Sequence, residues 1–101
     1  MTETTTNPKF SPGVLLATPG AIEALEKSGE TVFPYLQRHL NGDWGDLCQE
    51  DKMLNDQSLI DGSRILSAYK LKNGTKIWII TEAVGENGCR QSSTTLLPSE
   101  Y

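Results

Sequence analysis

The dipeptide Asn73-Gly74 constrains this chain more than any other pair of residues. It lies between two runs that read as strands, Arg64 to Lys72 and Thr75 to Glu82, the second rich in β-branched residues. Asn-Gly in that setting is the strongest short-range signal for a β-hairpin. A two-residue turn there fixes the register: Lys70 opposite Ile77, Ala68 opposite Ile79 and Leu66 opposite Thr81 on one face. The other face then pairs Tyr69 with Trp78, Ser67 with Ile80 and Ile65 with Glu82. Both faces are partly apolar, so one is expected to pack on helices. The Tyr69/Trp78 face is expected either to receive another element or to stand as an exposed aromatic patch. After a loop from Val84 to Ser92, the β-branched Thr94 and Thr95 mark a third strand, Ser93 to Leu97, ended by Pro98.

The first sixty residues follow a different period. Gly13 to Ala17 is a short apolar run readable as a strand. Thr18 offers an N-cap with Pro19 in the first helical position, Ala21, Ile22 and Leu25 form a stripe, and Gly29 stops the helix. A second helix starts at Thr31, with Pro34 tolerated in its first turn. Phe33, Leu36 and Leu40 are taken as its core face, which places His39 about 90° from the buried stripe and Arg38 nearly opposite it. Asp46 and Gln49 have capping-box spacing, so a third helix is expected from Leu47 to Ile60, with Met53, Leu54 and Ile60 as a weaker apolar face and Asp61-Gly62 closing it. The expectation is an α+β domain over residues 11–101, two to three N-terminal helices packed on a C-terminal antiparallel sheet of about three strands. Residues 1–10, rich in threonine, read as a flexible tail or an arm tied down by Phe10.

Composition removes several function classes. A chain of 101 residues supports one domain of modest core size. Its net charge of −4 argues against a general nucleic-acid coat, although a local basic patch escapes that argument. No apolar run approaches the roughly 18 residues that span a bilayer, and no signal-peptide pattern is visible, so a cytoplasmic protein without a membrane partner is expected. Cys48 and Cys89 form no CxxC pair and are expected as reduced thiols. One histidine and scattered carboxylates leave no ligand set for a metal, and no motif calls for a cofactor.

The candidate site centres on Arg38-His39-Leu40-Asn41-Gly42-Asp43-Trp44-Gly45-Asp46. His39 suits proton transfer near neutral pH, or else bonds a backbone carbonyl at the helix edge. Asp43 either orients it or caps the local turn. Trp44, between two glycines, is either a core anchor or a ring displayed to a partner. Gly42 and Gly45 supply unusual backbone angles, and no phosphate loop surrounds them. Two function classes follow. The first is a protein-binding adaptor or inhibitor that uses Trp44, Tyr69, Trp78 and Asp43 beside the acidic segment Glu50-Asp51 to Asp56. The second is a metal-independent ribonuclease of the barnase, colicin or toxin type, acting on RNA with His39, Glu82, Arg90 and Thr94.

Five ordered blocks add a family resemblance: Ala17-Thr18-Pro19-Gly20-Ala21; Arg38-His39 with Gly42-Asp43-Trp44-Gly45-Asp46; Ser67-Ala68-Tyr69; Ile77-Trp78-Ile79-Ile80-Thr81-Glu82; and Thr94-Thr95 to Leu97-Pro98 with Glu100-Tyr101. From about Val14 to Tyr101 the chain resembles small uncharacterised "plasmid-related" bacterial proteins of mobile elements, some of them labelled as subunits of a type I restriction enzyme. The resemblance implies no established activity. The chain has no room for a methyltransferase domain and its cofactor motif, and Val84 to Ser92 is longer than the corresponding family turn.

Overall fold

The hairpin at Asn73-Gly74 forms, but its turn holds three residues rather than two. In the computed structural model, which describes residues 8–101, Leu71 N–H donates to the Thr75 carbonyl and Gly74 N–H to the Leu71 carbonyl. Gly74 takes φ 93° while Asn73 stays at negative φ. This is a type I turn followed by a left-handed glycine, the usual three-residue hairpin loop. Its tip is gripped from outside: Lys72 N–H donates to the Glu30 carboxylate and Asn73 N–H to Ser28 Oγ. Those two bonds favour the three-residue turn.

One extra turn residue shifts every expected pair. Strands β2 (Ile65–Lys70) and β3 (Lys76–Thr81) pair Ala68 with Trp78, Tyr69 with Ile77 and Ser67 with Ile79. Tyr69 and Trp78 therefore lie on opposite faces, correcting the expected aromatic pair. The inner face carries Ile65, Ser67, Tyr69, Ile77, Ile79 and Thr81, all buried. The outer face carries Leu66, Ala68, Trp78 and Ile80 between the exposed Lys70 and Lys76.

The fold is α+β, as expected, with a mixed sheet. Strand β4 (Ser92–Leu96) runs antiparallel to β3, and β1 (Val14–Ala17) lies parallel to β4, giving the order β1-β4-β3-β2. The N-terminal apolar run is thus the fourth strand. Helix α1 (Pro19–Ser28) begins at the expected Thr18 N-cap, whose hydroxyl oxygen accepts from Ala21 N–H, and ends at left-handed Gly29. Helix α2 (Phe33–Leu40) buries Tyr35, Leu36 and His39, while Phe33 is 62% exposed. The period that fits is Val32, Tyr35, Leu36, His39, Leu40, with spacings of three and four residues. It was masked because two of its members carry polar atoms. Leu25, Tyr35, Leu36, Tyr69, Leu71, Ile77 and Ile79 form the core between α1, α2 and the inner face.

Helix α3 (Gln49–Asp61) differs most from expectation. Cys48 stands at its N-cap with no side-chain cap bond, so the Asp46/Gln49 capping box does not form. Met53, Leu54 and Ile60 are exposed, and the buried residues are Asn55 and Ser58. Polar bonds pin the helix instead. Asn55 Nδ2 donates to the Leu66 carbonyl at 2.7 Å and its Oδ1 accepts from Leu66 N–H at 3.2 Å, so one side chain imitates a neighbouring strand.

The loop before α3 covers the same edge. Ala68 N–H donates to the Trp44 carbonyl and Asp46 N–H to the Ala68 carbonyl, a short parallel bridge around Gly45. Gly45 has φ 75°, and a Cβ there would lie 1.9 Å from the Ala68 carbonyl oxygen. Gly74 also has positive φ but faces open space. Gly74→Ala should cost about 1 kcal/mol, the left-handed penalty alone, whereas Gly45→Ala should cost about 3 kcal/mol or more because the bridge must also open. Urea unfolding of the two variants reads the difference, and equal losses would contradict the bridge.

Candidate functional site

His39 lies at the crossing of α2 and the sheet with no solvent exposure. Its Nδ1 is 2.5 Å from Ser67 Oγ on β2, and its Nε2 is 2.8 Å from Thr81 Oγ1 on β3. Thr81 Oγ1 lies 2.7 Å from Ser93 Oγ on β4, and Ser93 O–H donates to the Pro12 carbonyl at 2.8 Å. A carbonyl only accepts, so the direction of the chain is set from that end. Ser93 spends its proton on Pro12, Thr81 donates to Ser93, and His39 donates to Thr81 through Nε2–H. His39 Nδ1 then accepts from Ser67 O–H. Every member is satisfied with a neutral imidazole in the Nε2–H tautomer, as a buried polar chain requires.

Surrounding rings and charge hold that state. Phe10 stands edge-on to His39 at 5.2 Å between ring centres, Trp44 stands edge-on at 5.9 Å, and the two stack on each other. Phe10 is thus held among these rings, and residues 1–7 of the expected tail lie outside the described residues. Burial, and then the positive Arg90, lower the His39 pKa to about 4.

Arg90 is itself nearly buried, at 8% exposure. Its guanidinium donates to the carbonyls of Ser63, Glu82 and Ser58 and lies over the Phe10 ring. Ser58 is in the last turn of α3, where a cation complements the unpaired carbonyls. Arg90 therefore clamps the end of α3 to the end of β3. Of the four residues assigned to RNA cleavage, the structure brings His39 and Arg90 into one buried neighbourhood. Glu82 meets that neighbourhood through its backbone carbonyl while the residue is exposed, and Thr94, opposite Ile80, faces the other side of the sheet from Thr81 and Ser93.

The binding candidates also divide. Trp44 is 3% exposed and its Nε1–H donates to Asp56, so it is the core anchor of the two readings. Tyr69 is 1% exposed, its hydroxyl donating to the Asp43 carbonyl and its ring lying under Arg38. Asp43 pairs with Arg38 Nε at 2.7 Å and accepts from Gly45 N–H, and the Arg38 bond holds its carboxyl below the usual range. These three residues knot the α2–α3 loop.

Asp43 is exposed but engaged by Arg38, and Trp78, half-buried, opens onto a groove between α3 and the outer sheet face. One half of the groove, about 300 Å³, is lined by Leu66, Ala68 and Trp78 as floor, by Asp46, Leu47 and Asp51 along the wall and by Lys76 at the end. A second half of about 250 Å³ shares Leu47, Asp51 and Leu66 and extends to Leu54 and Arg64. Arg64 donates to the Tyr101 hydroxyl at 2.7 Å, and the Tyr101 ring stands against Trp78 at 5.6 Å. Of the lining, Asp51 belongs to the acidic segment named from the sequence, whereas Leu47 and Leu66 were missed because the groove exists only in the shifted register. Sequence reasoning also missed Ser67, Thr81 and Ser93, whose signal was a hydroxyl on one face of each of three strands.

Among the described residues, no cluster of three His, Cys, Asp or Glu is placed to hold a metal ion, and no helix is long and apolar enough to cross a membrane. Cys48 and Cys89 are exposed free thiols. No family model, curated protein or solved structure matches the chain.

The buried imidazole has a measurable consequence. Folded His39 holds a proton more weakly, with its pKa near 4 against 6.5 for the free side chain. Acid therefore favours unfolding. The contribution is complete above pH 6.5 and is lost as pH falls toward 4. Stability should fall by roughly 2 kcal/mol between pH 7 and pH 5, before carboxylates titrate appreciably. In His39→Gln most of that slope should disappear, leaving only the smaller share of carboxylates held below their usual range, which urea unfolding across the range measures. A wild-type curve as flat as the variant's would contradict the buried neutral ring.

Proposed function

We propose that the protein is a non-enzymatic binding module whose α3–sheet groove holds an apolar, basic segment of another protein. The observation that carries this is the half-buried Trp78 on the groove floor beneath a wall bearing Asp46 and Asp51. An aromatic ring in a concave apolar site is the usual anchor of an interface. Carboxylates on its wall select lysine or arginine beside the apolar contacts. Glu50, next to Asp51 in the first turn of α3, adds to that field, with Lys76 and Arg64 placed only at the ends of the groove, and the net charge of −4 acts in the same direction. The resemblance to plasmid-related proteins points to a host or element-encoded protein as the partner.

RNA cleavage lacks a comparable support. A general acid or base must reach its substrate, and His39 has no exposed surface and both ring nitrogens engaged. With a pKa near 4 it would also be neutral at physiological pH.

An amphipathic peptide of leucine and lysine is a suitable first probe, with a leucine–glutamate peptide as control. Titrated into isotope-labelled protein, the basic peptide should shift the resonances of Leu47, Leu66 and Trp78 first. Trp78→Ser and Asp51→Lys should each weaken it about tenfold or more, and the acidic peptide should not bind. Binding indifferent to both substitutions, or RNA cleavage abolished by His39→Ala, would overturn the proposal.

A further inference from the structure

The two edges of the sheet are treated very differently. On β2, the outward groups of Leu66 and Ala68 are taken by the Asn55 side chain and by the Trp44–Asp46 backbone. On β1, Val14 and Thr18 donate inward to the Gln91 and Thr95 carbonyls. By the two-residue repeat of a strand, Leu15 and Ala17 then direct their N–H and C=O groups outward. Among the described residues no strand pairs with that side. All four residues of β1 are exposed, and Phe33 of α2 stands beside them at 62% exposure around an apolar hollow of about 180 Å³.

Such an edge takes an extended, uncharged, apolar strand, and natural proteins ordinarily protect one with lysine, proline or a bulge. Within Val14-Leu15-Leu16-Ala17 none of these is present. The strand itself has the properties its edge requires. From Phe10 to Ile22 the chain carries no charged residue, in a molecule whose net charge is −4. Two copies can thus meet along this strip without like charges opposed. At the strand's end the Glu100 carboxylate is already engaged by the Thr18 hydroxyl and Leu97 N–H.

We propose that β1 pairs antiparallel with β1 of a second copy across a two-fold axis, joining two four-stranded sheets into one of eight strands. Residues on both sides of the axis are then the same patch, the self-complementary contact that closes a dimer. The exposed parts of Val14, Leu15, Leu16 and Phe33 amount to roughly 400 Å² per protomer, taking about 200 Å² for a large side chain. Doubled, that is about 800 Å², below the roughly 1,200 Å² of stable specific interfaces, so the dimer is weak and reversible.

Sedimentation velocity between about 10 µM and about 1 mM should show the mass rising from monomer toward dimer, with a midpoint on the order of 100 µM for an interface of this size. Hydrogen exchange of the Leu15 and Ala17 amides should slow in step. Leu16→Lys, at a half-exposed position, should remain monomeric throughout, with its melting curve confirming the fold. Val14→Lys provides a second variant should that one be destabilised. Trp78→Ser should dimerise like the wild type, which separates this contact from the groove. A mass that stays monomeric at every concentration would overturn the proposal. So would dimerisation that survives both lysine variants, or protection of Leu15 and Ala17 that appears only on adding a foreign extended peptide.

Discussion

Ser67, His39, Thr81, Ser93 and the Pro12 carbonyl form one hydrogen-bonded line that crosses three strands and a helix. The line joins α2 to β2, β3 and β4 and reaches the segment that leads into β1. The hydroxyls and the ring are buried, so each bond is made in a medium where losing it leaves a polar atom without compensation. Of the two neutral tautomers only Nε2–H satisfies the line, and burial keeps the ring neutral. The positive guanidinium of Arg90 nearby reinforces this choice by opposing a second charge. A small apolar cluster between the helices and the inner sheet face is thereby supplemented by a polar seam that specifies how helix and sheet meet.

The same economy recurs at the periphery. The carboxylate of Glu30 accepts from the Ser28 and Tyr35 hydroxyls and from Lys72 N–H, drawing the α1–α2 connection onto the hairpin tip. Those bonds hold its pKa below the usual carboxylate value, and burial together with Glu30 pushes the Tyr35 phenol up to about 12. Arg90 gathers three carbonyls at the end of α3, and Asn55 serves an edge strand with its amide. Helix α3 is consequently held by polar contacts on one side while Met53, Leu54 and Ile60 face solvent. This leaves Leu54 and the outer face of the sheet open as a groove, with Trp78 on its floor.

Much of the architecture was legible in the sequence because its punctuation is local. Thr18-Pro19, Gly29 and Gly62 mark helix ends through capping and left-handed backbone, and these depend on few distant contacts. The hairpin register was not legible, because Glu30 and Ser28 act on the turn from more than forty positions away. A single turn residue then moved Tyr69 inward and left Trp78 outward. His39 escaped notice as a core residue for a related reason. Apolar periodicity passes over a histidine whose two nitrogens are served by hydroxyls on separate strands. Gly45 has the special backbone its sequence setting suggested, while Trp44 was open between anchor and displayed ring until its burial chose the anchor, and the edge bridge to Ala68 required the sheet to be in place.

The polar seam engages both nitrogens of His39 in joining helix to sheet, and the groove and the β1 edge are the surfaces proposed for partners. That engagement depends on the protonation state and tautomer of one ring. Long-range proton–nitrogen correlation spectra of the imidazole, recorded from pH 8 down to pH 5, test it directly. The account predicts a pattern of protonated Nε2 and unprotonated Nδ1 that does not change across the range. A ring that titrates near 6.5, or that carries its proton on Nδ1, would contradict it.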